Sequence, residues 1–565
     1  MIDEGAATAL GAASSSRRII AGTNSTDEDA AHSSTPETVE LALGQTWPSR
    51  ERFGELAEDT RVIPVVRRVF CDDLSAVAMY SQLADQRVGT FLFESAEHDG
   101  TFGRWSFIGA GSAATLTSVD DQAHWDGVVP EGVPREGKFL DVLEATLREM
   151  RTPRIAGLPP LTGAFVGALG WGVIPQWEPT LRAVKPLEVD IPDAVVNLAT
   201  DVAAIDHADG SVWLIANAYN LNNTAANVDT AYDDCLARLD SMVGRLASPI
   251  RPNVLAETSF AGIAAAAAAE GVESPVRPEI SFRTAKEDYL SSVVSAKQAI
   301  RDGEVFQVVV AQRLDVETPV SGLDVYRVLR TVNPSPYLYC MRLSDGKDGF
   351  FDVVGSSPET LVKVEGRRVW TYPIAGSRPR GATAADDRAL VEDLLSDPKE
   401  LSEHTMLVDL ARNDLSKVCD PATVEVSTLM EIKRFSHIQH ISSTVTGVLR
   451  EDADALDCLT ATFPAGTLSG APKPRAIQLI DELEPAARGV YGGVVGYFDL
   501  SGDADFAIAI RTATISNGVA SVEAGGGLVA DSVPELEYQE SRNKAAAAVE
   551  SVRTASTLAR IDLGR

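Results

Sequence analysis

The chain has 565 residues, 45% of them hydrophobic and 23% charged, which is ordinary globular composition and enough length for roughly two to four domains. Fifty Lys and Arg against 81 Asp and Glu give a net charge of −31. That balance excludes a general nucleic-acid or anionic-membrane binder, since both need clustered positive charge, and any anionic substrate requires a local exception.

Residues 1–58 are rich in Ala, Ser, Thr and acidic side chains with almost no aromatics. They bury too little apolar surface to offset the cost of ordering and are expected to form a disordered extension. Strand-like runs at Val62–Val66, Thr90–Phe93, Trp105–Ile108, Ala194–Asp206 and Ser211–Ala216, with helical stretches at Phe139–Met150 and Thr230–Leu246, predict a first α+β domain over 59–250. Small residues, prolines and an alanine run from Ala264 mark 251–279 as a linker, or as one short exposed helix within it. Beyond it, 280–555 alternates helices (Lys286–Asp302, Asp386–Asn413, Pro534–Ala555) with β-rich runs (Glu304–Leu314, Phe351–Val364, Val490–Asp499, Asp505–Thr514), and 556–565 is a tail. The five cysteines are scattered and never form a C-x-x-C pair, the pattern of reduced thiols in a cytosolic protein. No stretch approaches the roughly 18 apolar residues of a membrane span. No basic region followed by an apolar block opens the chain, so a cytoplasmic location without membrane contact is expected.

Five segments carry residues suited to chemistry. Between Asp393 and Asp414, Glu400 and Glu403 share a helix face with His404 beside them. In ELEYQESRNK, Glu537 and Glu540 repeat that spacing and Lys544 follows one turn later. Two helices each offering a carboxylate pair suit a hard divalent cation such as Mg²⁺, yet the same spacing is that of a solvated helix face with a Glu-to-Lys pair. TFPAGTLSGAPKPRA (Thr462–Ala476) either exposes backbone N–H groups to an anion at a helix start or makes an ordinary tight turn; with Pro474 after Lys473 it is not a Walker-type phosphate loop. Gly525, Gly526 and Gly527 in VEAGGGLVADS mark either a close backbone approach to a ligand or a hairpin turn. His437 and His440 lack a third metal-ligating neighbour, which leaves a single titrating imidazole or a buried structural one. No nucleophile elbow with a credible partner occurs, so hydrolase chemistry is not supported.

Together with GSSPETLV (Gly355–Val362), PIAGSRPRG (Pro373–Gly381), KELSEHTMLVDLARND (Lys399–Asp414), FPAGTLSGAPK (Phe463–Lys473) and ELEYQESRNK (Glu535–Lys544), these segments resemble the chorismate-utilising enzyme family over nearly all of 60–555. Within that family the match is to the large-subunit (component I) branch of the anthranilate synthases. The resemblance implies an α+β fold in which antiparallel β-sheets form a sandwich core with helices packed outside, built as two interleaved domains: a regulatory one over 59–250 and a chorismate-binding one over 280–555. It implies conversion of chorismate and ammonia to anthranilate and pyruvate, the first committed step of tryptophan synthesis. Mg²⁺ is the implied cofactor, with Glu403 and Glu540 as principal ligands and Glu400 and Glu537 as nearby carboxylates reaching it through water. Arg511, Lys544, Tyr491, Thr467, Gly376 and the N–H groups of Gly525, Gly526 and Gly527 are implied to hold the substrate. Glu359 matches the general acid for the departing C4 hydroxyl, and its pKa should therefore be raised. His440 is the implied acid/base in pyruvate loss and aromatisation, with His404 as second candidate.

Two positions separate this chain from other branches that it resembles. Gln307 stands where the water-using isochorismate and salicylate synthases carry a lysine base, and a neutral amide cannot activate water. Ala375 stands where aminodeoxychorismate synthases carry a lysine, which favours anthranilate; p-aminobenzoate-type amination and a non-catalytic tryptophan-binding regulatory subunit are the alternatives. FLFESAE (Phe91–Glu97), GRWSFIG (Gly103–Gly109) and NPSPYLY (Asn333–Tyr339) resemble the family's tryptophan feedback site. Ser95, Pro336, Tyr337 and Leu338 would contact the inhibitor and Val495, Gly496 and Tyr497 close the far side, although the same residues suit the interior of a β-rich core. No segment resembles a glutamine amidotransferase. A separate glutamine amidotransferase subunit (component II) is thus the implied ammonia source, in a heterotetramer of two large and two small subunits.

Overall fold

The computed structural model describes residues 38–84, 86–96, 103–249, 277–434 and 438–558. Most of the expected linker, the first 37 residues, His437 and residues 559–565 lie outside these.

Side chains that alternate between two packing partners build the fold. In the strand Tyr337–Ser344, Tyr339, Met341 and Leu343 join one core while Leu338 and Cys340 join a second. In Val494–Asp499, Val495 and Tyr497 face the first core, and Val494 and Phe498 face a third. The first core lies between two antiparallel sheet layers. The other two lie under helices on the outer faces. Ala76–Leu83, Val228–Leu246, Gly322–Val332 and Pro534–Ala555 cover one layer. Pro398–Ser416 covers the other, while Phe139–Glu149 packs on Trp105–Val119 and Lys286–Arg301 and Lys473–Leu483 pack on Gln307–Glu317.

The first layer runs through Gln307–Glu317, Val519–Leu528, Thr512–Ser516, Phe350–Ser357, Tyr337–Ser344, Thr90–Glu94 and Trp105–Val119. Trp105–Val119 pairs with Ala194–Asp206, which opens the second layer. That layer continues through Ala164–Leu169, Val494–Asp499, Ala504–Ile508, Thr360–Glu365 and Arg368–Thr371 to Ile438–Val448. Strands from the first half of the chain therefore stand between strands of the second half, and the α+β sandwich of interleaved halves matches the expectation. Among the described residues no helix is long and apolar enough to cross a membrane. All five cysteines are free thiols.

Four sequence expectations are corrected. The extension does not run to residue 58: Val39 and Leu41 are buried in the sandwich core, Thr46–Trp47 pairs with Val62–Phe70, and Arg50–Asp59 is a helix capped by Ser49 that buries Phe53. A few well-placed apolar side chains suffice where a formed core awaits them. The single helix expected over Asp386–Asn413 is two, Ala384–Ser396 and Pro398–Ser416, because Pro398 brings no N–H and holds Asp397 extended; the Asp397 side chain then caps the second helix. The run Phe351–Val364 is two strands, Phe350–Ser357 and Thr360–Glu365, interrupted by Pro358 and Glu359. The run Asp505–Thr514 is likewise two, Ala504–Ile508 and Thr512–Ser516, with Arg511 between them at φ 52°. At both interruptions the chain crosses from one layer to the other.

A buried ion pair anchors the edge of the Gln307–Glu317 strand. Arg488 and Glu484 have side chains 1% and 5% exposed. Arg488 Nε donates to Glu484 Oε2 at 2.9 Å, and its other nitrogens donate to the carbonyls of Leu468 (2.7 Å) and Val309 (3.0 Å). Glu484 Oε1 accepts the Ala311 N–H at 2.7 Å. Every polar group is satisfied, so removing one partner strands the other in a dry site. Glu484→Ala is expected to destabilise the fold by about 3–5 kcal/mol in urea denaturation, with much of the loss recovered when Arg488→Met is added; a loss under about 1 kcal/mol would mean water already reaches the pair.

Candidate active site

The two layer crossings are bonded to each other: Ile508 N–H donates to the Glu359 carbonyl at 3.0 Å, and Ser356 N–H donates to the Arg511 carbonyl at 3.2 Å. Glu359 and Arg511, at the crossings, belong to none of the three cores, which lets polar side chains stand inside the protein. The Glu359 carboxyl accepts a hydrogen bond from Thr467 Oγ1 at 2.8 Å. Burial pushes its pKa up to about 7, against the Thr467 hydrogen bond and the Lys544 charge, which both favour the carboxylate. A cavity of about 50 Å³ adjoins it, walled by Thr467, Tyr372 and Leu407.

Thr467 arrives there because the segment around it is spent on pairing. Gly470–Ala471 pairs with Gln307 and Val308, and Val309 N–H donates to the Ser469 carbonyl at 3.0 Å. Lys473 turns to Asp414 (2.7 Å) and the Thr462 carbonyl (2.8 Å). Of the two readings of Thr462–Ala476, the structure favours the tight turn.

His440 lies on Ile438–Val448, opposite Ser377. The neighbouring strand bulges at Gly376, whose φ of 77° suits glycine, and the imidazole bonds to the Gly376 backbone. Burial and the Arg511 charge lower its pKa to about 4, with the Gly376 bond opposing, so the ring is neutral at pH 7. His404 is fully buried, and its Nε2 lies 2.6 Å from Ser443 Oγ. That oxygen also accepts the Met430 N–H at 2.9 Å. Ser443 is three residues from His440, on the opposite face of the strand, and the two histidine candidates are separated accordingly.

The Arg511 guanidinium makes no hydrogen bond or ion pair with another described residue. Its left-handed backbone is unusual for a non-glycine residue and marks a functional position. Burial lowers its pKa, the mark of a cation short of a counter-charge. Tyr491 is buried with the Arg488 guanidinium 5.3 Å from its ring centroid.

The acidic helices meet over the glycine run. A Cβ at Gly526 would stand 3.0 Å from Glu537 Oε2 and 3.6 Å from Glu540 Oε1, and one at Gly527 would stand 2.1 Å from Gln307 Nε2. Lys544 pairs with Glu540 at 2.8 Å and donates to the Gly525 carbonyl at 3.1 Å. Burial and the Glu400 and Glu540 charges raise the Glu403 pKa. Burial, with Glu540 assisting, raises that of Glu537. Glu400 bonds to Arg378 at 3.0 Å, which also holds Asp393 (2.7 Å) and Asp397 (2.9 Å). Among the described residues no group of three or more ligating side chains stands close enough to hold a metal ion. The chemistry of the donors, neighbouring carboxylates of which Glu403 and Glu537 have pKa values raised by burial and by nearby acidic charge, nonetheless fits a hard cation. Arg378 and Lys399, whose charge acts on Glu403 and Glu537, were missed by the sequence reading; acids at 393, 397 and 400 around one helix break were the available signal for Arg378.

A second cavity of about 100 Å³ brings together all seven residues of the expected effector site, Ser95, Pro336, Tyr337, Leu338, Val495, Gly496 and Tyr497, with Phe93, Trp105 and Asp505. A roomier cleft of about 500 Å³, between Trp177, Arg450 and Pro474, holds none of the candidate residues.

The profile described as chorismate binding enzyme matches residues 89–550. Anthranilate synthase component 1 of Arthrobacter globiformis is 50% identical over 517 residues, covering 91% of this chain and 95% of that one. The protein of the same name from Mycolicibacterium smegmatis is 49% identical over 519 residues, covering 92% and 96%. Among solved structures, anthranilate synthase component I from Streptococcus pneumoniae TIGR4 superposes with a TM-score of 0.67 at 30% identity, covering 85% of this chain and 99% of that one. MenF, the menaquinone-specific isochorismate synthase from Escherichia coli, shares the fold at 20% identity with a TM-score of 0.63, covering 89% and 98%. The crossings, the glycine run and the acidic helices thus lie within a stretch matched almost end to end, and the chain belongs to the chorismate binding enzyme family.

Proposed function

We propose that this chain is an anthranilate synthase component 1, converting chorismate and ammonia to anthranilate and pyruvate. The observation that carries the reading is Arg511, a guanidinium without a counter-charge among the described residues, whose field reaches the neutral imidazole of His440. Chorismate is a dicarboxylate, and Arg511 and Lys544 supply the positive field that the bulk charge lacks. Ammonia adds at C2 while the C4 hydroxyl departs. Glu359, protonated below about pH 7, gives its proton to that hydroxyl, and the Thr467 hydrogen bond steadies the carboxylate left behind. His440, bonded to the Gly376 backbone, offers a basic ring nitrogen for the C2 proton and returns it to the enolpyruvyl methylene as pyruvate leaves and the ring aromatises.

Glu403 and Glu540, with Glu400 and Glu537 through water, would hold Mg²⁺, which when bound makes an otherwise repulsive acidic cluster attractive to the ring carboxylate. Gln307, packed against Gly527, offers an amide and no base for water. Ala375, paired with Ile441, offers no amine toward the ring. The ammonia source is a glutamine amidotransferase subunit, in a cytoplasmic assembly of two large and two small subunits. Tryptophan inhibits from the cavity of about 100 Å³, whose aromatic walls Phe93, Trp105 and Tyr337 suit an indole.

Purified chain with chorismate, Mg²⁺ and excess ammonium is expected to form anthranilate, read by its fluorescence. A 4-amino product, or a hydroxylated product without ammonia, would sink the reading, and chelation of Mg²⁺ is expected to weaken chorismate binding. His440→Ala should cut turnover by about 100-fold or more while chorismate still binds; normal turnover would remove it from the chemistry. At saturating free ammonia, turnover should fall as pH rises through about 7, where Glu359 loses its proton. Thr467→Val, which removes a bond favouring the carboxylate, should move that fall to higher pH, and a fall that does not move would assign it to another group. Ser95→Ala should relieve tryptophan inhibition; unchanged inhibition would place the effector elsewhere.

A further inference from the structure

Two tyrosines in the wall of the effector cavity reach out of it, and each hydroxyl ends on a residue adjoining one of the two layer crossings. The Tyr337 hydroxyl donates to Asp505 Oδ1 at 2.7 Å and accepts from Thr360 Oγ1 at 3.0 Å. Thr360 is the residue after Glu359. The Glu359 carbonyl is in turn held by Ile508, at the far end of the Ala504–Ile508 strand from Asp505. The other tyrosine, Tyr339, contacts Thr512 Oγ1 through its hydroxyl at 2.6 Å. Thr512 Oγ1 donates to the Ile510 carbonyl at 2.8 Å, so the proton of the first contact comes from the tyrosine and the threonine bridges across Arg511. The Tyr339 ring is pinned by its surroundings, since a Cβ at Gly355 would stand 2.3 Å from it. Tyr339, Thr360 and Thr512 are buried, so water does not replace a contact that is lost.

We propose that these are two separate positioning links: Tyr337–Thr360 sets the acid Glu359, Tyr339–Thr512 sets the anion-holding Arg511, and occupancy of the cavity acts on turnover through the first and on chorismate affinity through the second. The proposal rests on the roles given above to Glu359 and Arg511. A cavity ligand that moves either ring must stretch or drag its hydroxyl contact, and each contact ends one residue from a group that touches substrate. Displacements well under 1 Å at such groups change rates measurably. Because the links end on different groups, their losses have different kinetic signatures.

The decisive experiment uses the full chain with chorismate and ammonium and no effector. Thr360→Val is expected to lower kcat about tenfold with KM for chorismate within about twofold, and Thr512→Val to raise KM about tenfold with kcat within about twofold. Thr360→Ser and Thr512→Ser, which keep the hydroxyl, should recover the wild-type values. Both valine variants changing the same parameter, or serine and valine variants behaving alike, would overturn the two links. A second measurement, tryptophan calorimetry with and without chorismate, tests the coupling. Tyr339→Phe should bind tryptophan within about threefold of wild type while the mutual weakening of the two ligands falls toward none, and a weakening as large as in wild type would overturn that arm. Should tryptophan not bind the wild-type chain, the effector reading and the coupling arm fail, while the kcat and KM split still decides the links.

Discussion

The hydrogen bonds that tie one layer crossing to the other, Ile508 to Glu359 and Ser356 to Arg511, are what the site stands on. Within a layer, each side chain goes alternately to the sandwich core or to a helix-covered face, and both are apolar. Where the chain leaves one layer for the other, a residue is released from that alternation. Glu359 and Arg511 occupy such places. A carboxyl that must give up a proton near neutrality needs burial without an adjacent cation, since a close arginine would pull its pKa back down. Fixing the two crossings by backbone bonds holds Arg511 in register with Glu359, while the charge among the described residues that acts on that carboxyl is Lys544, itself paired with Glu540.

The net charge of −31 keeps the exterior repulsive to anions, and the acidic helices make the site's own rim repulsive too. Two of its four glutamates are already engaged by protein cations, Glu400 by Arg378 and Glu540 by Lys544. The burden of repulsion falls on Glu403 and Glu537, whose pKa values are raised. An acidic cluster of this kind is poorly suited to hold a dicarboxylate by itself and well suited to hold one after a cation has joined it. Gly526 is what lets the Pro534–Ala555 helix bring its carboxylates so close to the sheet.

Most of the fold was legible because periodicity is a local signal. The strands of both layers and the helices over them announce themselves by alternation or by helical spacing, and the motif order pointed to a sandwich of interleaved halves. The breaks were not legible. Pro358 and Pro398 stood in plain view, but the apolar pattern ran on past them, so one strand and one helix were each read as continuous. The break at Arg511 gave no local sign, since a positive φ at an arginine is imposed by the crossing and not by the residue. The sites of failure coincide with the proposed sites of chemistry at Glu359 and Arg511, where local preference is overridden. The segment from residue 38 was misread for a different reason: Val39, Leu41 and Phe53 are too few to signal a core, yet each fills a place that other strands provide.

Interleaving also decides how the cavity of about 100 Å³ relates to the two crossings. Its walls come from both layers, Tyr337–Ser344 from one and Val494–Asp499 with Ala504–Ile508 from the other. The chain reaches Glu359 by passing from the layer of Phe350–Ser357 to that of Thr360–Glu365, and it reaches Arg511 by passing back. A ligand wedged between the layers alters the distance that both crossings must span. Close-packed layers yield by shifting as units instead of deforming locally. The segments carrying Glu359 and Arg511 span that distance outside any strand and are tied to each other by the Ile508 and Ser356 N–H bonds, so the two crossings are coupled in the fold itself.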